Sequence, residues 1–355
     1  MRGELSPLTI GLLAFVSSLC VTPLEYPGFW LASLGPLAVL APIGATAVGL
    51  LGTTVAMRFS GTRPWERGGP GVRFLAVALA PVVLFGAAAN TEVYAQASAS
   101  VFTVHFPLYY PVAFVGVASA VAAYYGVVSV ARTISVLFPL VATGLVLLFA
   151  APIGNIDLRN LVGPQPAFQP TLDGMTIASL GAVRGFLVLL VWGGRARNGR
   201  AATRAALLGV AGAGLLVVVS TVWPLAIFGL PEALTLRFPL LAVTGSVFWQ
   251  WFPSSSFEAL TMVVWQVVAF LVVAEYIALG ADVLRLAVPS LGRLPAFALA
   301  VLPVALASVQ MRPGAQAAAL VAFNALAVAV GLALPAGLLL AGRRPADGPE
   351  AAGVT

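Results

Sequence analysis

The sequence predicts an all-α integral membrane protein with ten transmembrane helices. Three observations carry this. The chain is 60% apolar and only 8% charged, too few charges to solvate the surface of a water-soluble domain. Apolar runs of the ~17–25 residues that a helix needs to cross a ~30 Å hydrocarbon layer recur along nearly the whole chain. Fourteen of the eighteen basic residues, all of them Arg, fall on alternate connections between those runs or on the flanking ends.

The runs lie at about 7–24, 30–56, 73–98, 107–125, 129–152, 174–193, 203–229, 254–284, 295–311 and 315–341. Barrel strands would show short alternating segments. A run such as "AALLGVAGAGLLVVVSTVWPLAIFG" has no such alternation. The Arg-rich connections are 58–73 (Arg58, Arg63, Arg67, Arg73), 195–204 (Arg195, Arg197, Arg200, Arg204), Arg285 with Arg293, and Arg343-Arg344, joined by Arg2 and Arg132. The opposite connections carry only Arg159, Arg237 and Arg312. Cytoplasmic loops retain positive charge, so the Arg-rich side is expected inside, and an even number of crossings puts both termini there.

The net charge of +6 is then an inner-leaflet signature facing anionic lipid, not a nucleic-acid surface. The single Cys20 excludes an internal disulfide. Leu19 stands before it, where a lipoprotein cleavage site needs a small residue, so the first run reads as a membrane helix. The longest polar connection, 153–173, is too short for a soluble domain. A single membrane domain over 1–344 is expected, with halves of about 1–152 and 174–344, and a disordered cytoplasmic tail over 345–355.

Five plus five spans place the first helix of each half in opposite orientation, the arrangement of an inverted repeat whose discontinuous helices meet near the midplane. Span 1 carries Ser17-Ser18, then Pro23 and Pro27; span 6 carries Ser179, Gly181 and Gly185, then Gly193-Gly194. Small residues permit unwinding and exposure of backbone groups to a ligand. They equally permit tight helix packing.

A charge at the bilayer centre costs ~3 kcal/mol or more, which makes each intramembrane ionisable residue a functional candidate. Asn90, Thr91 and Glu92 stand together in span 3, with Gln96 one turn on; Glu275 and Tyr276 stand in span 8, and Arg184 in span 6. Glu92, Arg184 and Glu275 are candidates for an ion pair or proton path, and Arg184 for gripping a substrate carboxylate. An ionised carboxylate at that depth must be paired or else protonated. His105 reads as a loop residue, Arg132 as a snorkelling anchor, Glu258 as structural, and Trp249 with Trp251 as an interfacial belt. With one His and one Cys, zinc and haem sites lack ligands, and no phosphate loop or nucleophile–His–acid set is present. No enzyme, metal or cofactor is expected.

Several stretches resemble the B-subunit family of spore germinant receptors, the GerAB-type permeases, relatives of the amino acid–polyamine–organocation transporters with the LeuT fold. They are "LSPL" (5–8), "YYGVVSVARTISVLFPLV" (124–141), "NIDLRNLVGP" (155–164), "RFPLLAVTGSVF" (237–248) and "FEALTMVVWQVVAFLVVAEYIALGADVLRLAV" (257–288). Span 6 departs from the family's Gly-Phe-Glu as Gly185-Phe186-Leu187, and the family's entrance to span 2 becomes Gly28-Phe29-Trp30. A Gly-rich stretch of span 1 becomes Ser17-Ser18, and a Thr or Lys position of span 8 becomes Leu271-Val272.

The resemblance implies a LeuT-like 5+5 inverted repeat, with helices 1 and 6 as candidates for a break. It implies a subunit in the inner spore membrane that binds a small germinant, an amino acid, and signals to an A-type membrane subunit and a C-type lipoprotein. Ser17, Ser18, Asn90, Glu92, Gly181, Gly185, Leu271 and Glu275 are the expected ligand-binding residues. A proton- or sodium-coupled amino-acid permease is the alternative; a scaffold subunit with a vestigial pocket is a third reading, suggested by Leu187, Leu271 and Val272.

Overall fold

A chain crossing a layer without water must satisfy its backbone within helices. The computed structural model describes residues 4–19, 22–101, 109–162, 168–247, 257–306 and 313–341. Among them, extended pairing is limited to an isolated bridge between Leu5 and Ala196. Span 1 is α1 (Pro7–Leu19) and α2 (Thr22–Leu34), span 2 is α3 (Leu40–Gly61), and span 3 is α4 (Pro70–Val101). Then come α5 (Tyr109–Tyr124), α6 (Val127–Ala150), and the two pieces of span 6, α7 (Gly174–Ser179) and α8 (Phe186–Trp192). The long α9 (Gly199–Ala233) is followed by a short α10 (Pro239–Gly245), α11 (Phe257–Ala287) and α12 (Arg293–Leu306). The last span is α13 (Pro313–Val328), a π-helical turn at Ala329–Ala333, and α14 (Leu334–Ala341). Cys20, His105, Trp249, Trp251, Arg2, Arg312, Arg343-Arg344 and the 345–355 tail lie outside the described residues.

By length and composition, six of the described helical segments can cross a membrane, and the α1–α2 pair, bent by 43°, makes a seventh. Spans 4, 6 and 9 are shorter apolar helices. The expected ten is therefore not reached by length alone, because span 6 is interrupted and spans 4 and 9 are short. A boundary also moves. The sequence reading ended span 1 near 24 and began span 2 at 30, whereas α2 continues to Leu34 and α3 begins at Leu40. The stop is Gly35-Pro36. Gly35 takes φ +55°, a left-handed conformation that ends a helix, and the Pro behind it cannot continue one. Hydropathy does not register either device.

Burial sorts the helices. In its most apolar window α11 is 78% buried, against 28% for the segment from Val127 to Asn155, so span 8 is the central post and span 5 faces lipid. Large apolar side chains such as Val136, Leu140, Leu208 and Leu215 stay exposed on the outer faces, where lipid replaces water. Close backbone approach is built from small residues. A methyl group at Gly86 of α4 would collide with the Tyr276 ring of α11, and one at Gly209 of α9 with the Gly11 carbonyl of α1. At the Arg-rich end, the Leu5 amide donates to Arg195 O (2.9 Å) and the Arg197 amide to Leu5 O (3.0 Å), which ties the start of span 1 to the end of span 6.

Candidate functional site

A helix that stops inside an apolar layer leaves amides and carbonyls that must find partners. Span 6 stops at Ser179 and resumes at Phe186, leaving 180–185 outside the helix. Short turns close part of the gap, with the Gly181 amide on Ala178 O (3.0 Å) and the Ala182 amide on Ser179 O (2.9 Å). The rest is closed by span 1. The Gly185 amide donates to Ser18 Oγ (3.0 Å), and Thr22 Oγ1 donates to Ala182 O (3.3 Å). Span 1 therefore caps the break in span 6 through the hydroxyls of Ser18 and Thr22.

Glu275 and Arg184 sit at this contact. Ser17 Oγ donates to Glu275 Oε2 at 2.6 Å, while Glu275 Oε1 has no partner among the described residues. Leu271 lies one turn earlier on α11 and is fully buried. Arg184, inside the break, donates to Asn324 Oδ1 (2.7 Å) and lies 4.3 Å above the Phe323 ring. Asn324 Nδ2 in turn donates to the Tyr26 hydroxyl at 2.7 Å, so α2, the span-6 break and α13 share one polar chain. Trp30 Nε1 donates to Ser179 Oγ at 2.6 Å, fixing α2 on the last turn of α7. Ser17, Ser18, Arg184 and Glu275 are each 0% exposed, so a ligand reaches them only if the helices part.

Span 3 contributes less directly. Asn90 donates back to Gly86 O (2.7 Å) and Thr91 to Ala87 O (2.8 Å), both one turn earlier in α4. Glu92 Oε1 accepts from Gln96 Nε2 at 3.1 Å, and Gln96 Oε1 accepts from Arg237. This branch runs toward the Arg-poor face. Arg184, a candidate ion-pair partner of Glu92 or Glu275, donates to Asn324 and stacks on Phe323. Glu275 takes its hydrogen bond from Ser17.

The sequence reading missed Thr22, Tyr26 and Asn324, and also Glu25 and Arg237. Asn324, an amide inside the last apolar run, was the available signal. Arg132 is exposed early in α6, as a snorkelling anchor would be, and Glu258 opens α11 against Gly245. A cavity of 730 Å³ lies at the Arg-rich end, away from the breaks, lined among others by Ser60, Trp65, Tyr125, Val191, Asp282 and Arg285. There Trp192 Nε1 donates to Asp282 Oδ2 (2.9 Å), and Arg195 approaches the same oxygen at 3.6 Å.

Residues 73–285 match the family described as spore permease, spore germination protein. No curated protein matches the chain at a significant level. Among solved structures, the chain is similar to a Na+-coupled sialic acid symporter in a substrate-bound outward-open state. The TM-score is 0.64 at 13% identity, covering 95% of this chain and 79% of that one. It is also similar to Mhp1, a nucleobase-cation-symport-1 family transporter, in a closed conformation with bromovinylhydantoin bound. Here the TM-score is 0.66 at 15% identity, covering 97% of this chain and 80% of that one. At these identities the likeness establishes the fold, that of LeuT-type transporters, and the family and neighbours are permeases or transporters rather than enzymes.

Proposed function

Since this chain belongs to the spore germination protein family, whose pattern spans more than half its length, we propose that it is the membrane-embedded subunit of a spore germinant receptor. It binds a small germinant, an amino acid, in a midplane pocket walled by spans 1, 3, 6 and 8. The observation that carries this is the capping of the span-6 break by Ser18 and Thr22 of span 1. A germinant carboxylate takes over the Gly185 amide from Ser18, and its ammonium takes over the Ala182 carbonyl. Ser17 and Glu275 supply the adjoining polar wall, Leu271 the apolar one. Gly181 and Gly185 leave no side chain between the break and the helices that wall it, α13 and α1. Asn90 and Glu92 border the pocket from span 3 and lead away from it. Binding shifts a conformational equilibrium that an A-type membrane subunit and a C-type lipoprotein read out in the inner spore membrane. The Arg-rich face and both termini are cytoplasmic, and 1–344 acts as one membrane domain.

A coupled permease is the second reading, favoured by the two symporter-type neighbours. The two separate in one experiment. Purified protein is screened for thermal stabilisation by each of the twenty proteinogenic L-amino acids, and those that stabilise are tested, radiolabelled, for uptake into proteoliposomes. Stabilisation without uptake supports the receptor; uptake driven by a proton or sodium gradient supports the permease. Stabilisation by none of them, with germination intact in a Ser18→Ala, Glu275→Gln double variant, leaves only the scaffold role.

A further inference from the structure

The 730 Å³ cavity at the Arg-rich end gathers arginines from three separate connections. Arg63 follows span 2, Arg195 follows span 6, Arg285 lies in the last turn of α11, and Arg293 opens α12. Val127 and Val191 are buried beneath them, while all four arginines stand exposed. The connections after spans 2 and 6 hold each other in place. Trp65 Nε1 donates to Leu190 O at 2.8 Å, and a Cβ at Gly194 would lie 2.7 Å from Ser60 O. Two carboxylates, Glu66 and Asp282, line the same cavity. Asp282 Oδ2 accepts from Trp192 Nε1 and has Arg195 at 3.6 Å. Glu66 lies 4.0 Å from Arg63, an exposed pair of the kind that contributes little. Arg293 donates to the Tyr124 carbonyl and lies 5.5 Å from the centre of its ring, which anchors the guanidinium without neutralising it. Arg285 has neither a hydrogen bond nor an ion pair among the described residues.

We propose that this cavity binds a phosphate monoester, gripped by Arg285 and Arg293. With both carboxylates credited in full to the cavity, four arginines against two acids leave two positive charges over. A concave wall lined by one sign of charge focuses its field on whatever enters. A phosphate monoester carries about −1.5 to −2 at neutral pH and three terminal acceptor oxygens, which matches that surplus. Two guanidinium forks engage such a group in paired hydrogen bonds. A carboxylate brings one charge and two oxygens, and leaves half the surplus uncancelled. The volume falls within the ~300–1,000 Å³ of small-molecule sites, so the organic substituent has room over Val127, Val191 and Trp65. That substituent belongs either to a soluble ester or to a lipid, since phosphatidic acid bears the same headgroup and basic pockets between membrane helices take lipid phosphates. A loop arginine that only marks the inner face needs none of this enclosure; Arg204, on the same face, lies outside the cavity. The site is separate from the breaks and stands whether or not they bind a germinant.

The test measures binding of radiolabelled orthophosphate to the purified full chain in detergent, by scintillation proximity at fixed pH and ionic strength. Saturable binding is expected, one per chain, displaced by glycerol 3-phosphate and by dioctanoyl phosphatidic acid. Acetate should leave it in place, and dimethyl phosphate, a monoanion, should need about tenfold more than glycerol 3-phosphate. Phosphatidic acid acting at about tenfold lower concentration than glycerol 3-phosphate identifies a lipid as the source; otherwise the source is a soluble ester. Arg285→Gln should weaken binding by about tenfold, through loss of a charge-assisted pair of hydrogen bonds. Because Arg285 has no partner among the described residues, this change breaks no contact there and the fold should survive. Arg285→Lys keeps the charge, loses the fork, and should fall between the two. Arg204→Gln should bind as the wild type does. The proposal is overturned by no saturable binding in the wild type, or by undiminished binding in Arg285→Gln. It is overturned too by an equal loss in Arg204→Gln, which would reduce the effect to the overall charge of the face. Displacement by acetate or dimethyl phosphate at the concentration effective for glycerol 3-phosphate would likewise end it.

Discussion

At the scale of single residues, the candidate site is a set of hydrogen bonds between buried groups of spans 1, 6, 8 and 10. Ser18 shows this most directly, since its hydroxyl is what the Gly185 amide uses in the break. Ser18→Ala leaves a buried N–H unpaired and should lower stability by ~1–3 kcal/mol, read as an earlier midpoint in detergent unfolding. If the midpoint is unchanged, the break is capped by something else. Glu92 permits a finer distinction, because its carboxylate is hydrogen-bonded to Gln96 rather than isolated. Glu92→Gln keeps the volume and removes the charge; Glu92→Ala removes both. With a role in ligand or proton chemistry, both variants should lose germination or transport at unchanged protein level. With a structural role, Gln is tolerated and Ala reduces abundance. A fully expressed Glu92→Ala protein with wild-type response would end the functional assignment of this residue.

At the scale of elements, the decisive feature is that span 6 is interrupted where span 10 crosses it. Gly181 marks the crossing: a Cβ there would lie 2.6 Å from Asn324 O and 2.9 Å from a Val328 methyl. Gly181→Leu should wedge α13 away from the break and disturb the Arg184–Asn324–Tyr26 chain. Ligand response should be lost, with a stability cost of ~1–3 kcal/mol from overpacking while the protein still inserts. Retained response in a germination assay would mean that the break does not form the pocket wall. The π-helical turn at Ala329–Ala333 belongs to the same crossing, since a Cβ at Gly331 would meet the Leu187 and Phe186 side chains at 2.5 and 2.6 Å. Such turns widen a helix locally and concentrate at functional sites.

At the scale of the whole molecule, the proposed orientation rests on the Arg asymmetry between the two faces. The prediction is topological. In a background where Cys20 is replaced by Ser, a Cys introduced at Arg200 should be labelled by an impermeant maleimide only after membranes are opened. A Cys at Asp157 should be labelled in intact cells. The reverse pattern would turn the molecule over and put the Arg-poor end on the cytoplasmic side. The same asymmetry explains why the 730 Å³ cavity is rich in arginine: it opens between the connections that follow spans 2, 4, 6 and 8.

By itself, the sequence determined the class, the order of the spans and the charged face, and it marked spans 1 and 6 as candidates for a break. Those properties follow from hydropathy, Arg placement and local runs of small residues, all of which act over a few neighbouring residues. Ser17, Ser18, Gly181, Gly185 and Glu275 were legible for that reason, as intramembrane polar or small residues in apolar surroundings. Which of them touch was decided only by the tertiary structure. Ser17 meets Glu275 across 258 positions of chain, and Tyr26 meets Asn324 across 298. The Arg184 partner was predicted as an acid and proved to include an amide. The end of span 1 was misplaced because Gly35-Pro36 is a conformational stop within an otherwise apolar stretch. Hydrogen bonds between distant segments depend on the direction each side chain takes after packing, and hydropathy carries no record of that direction.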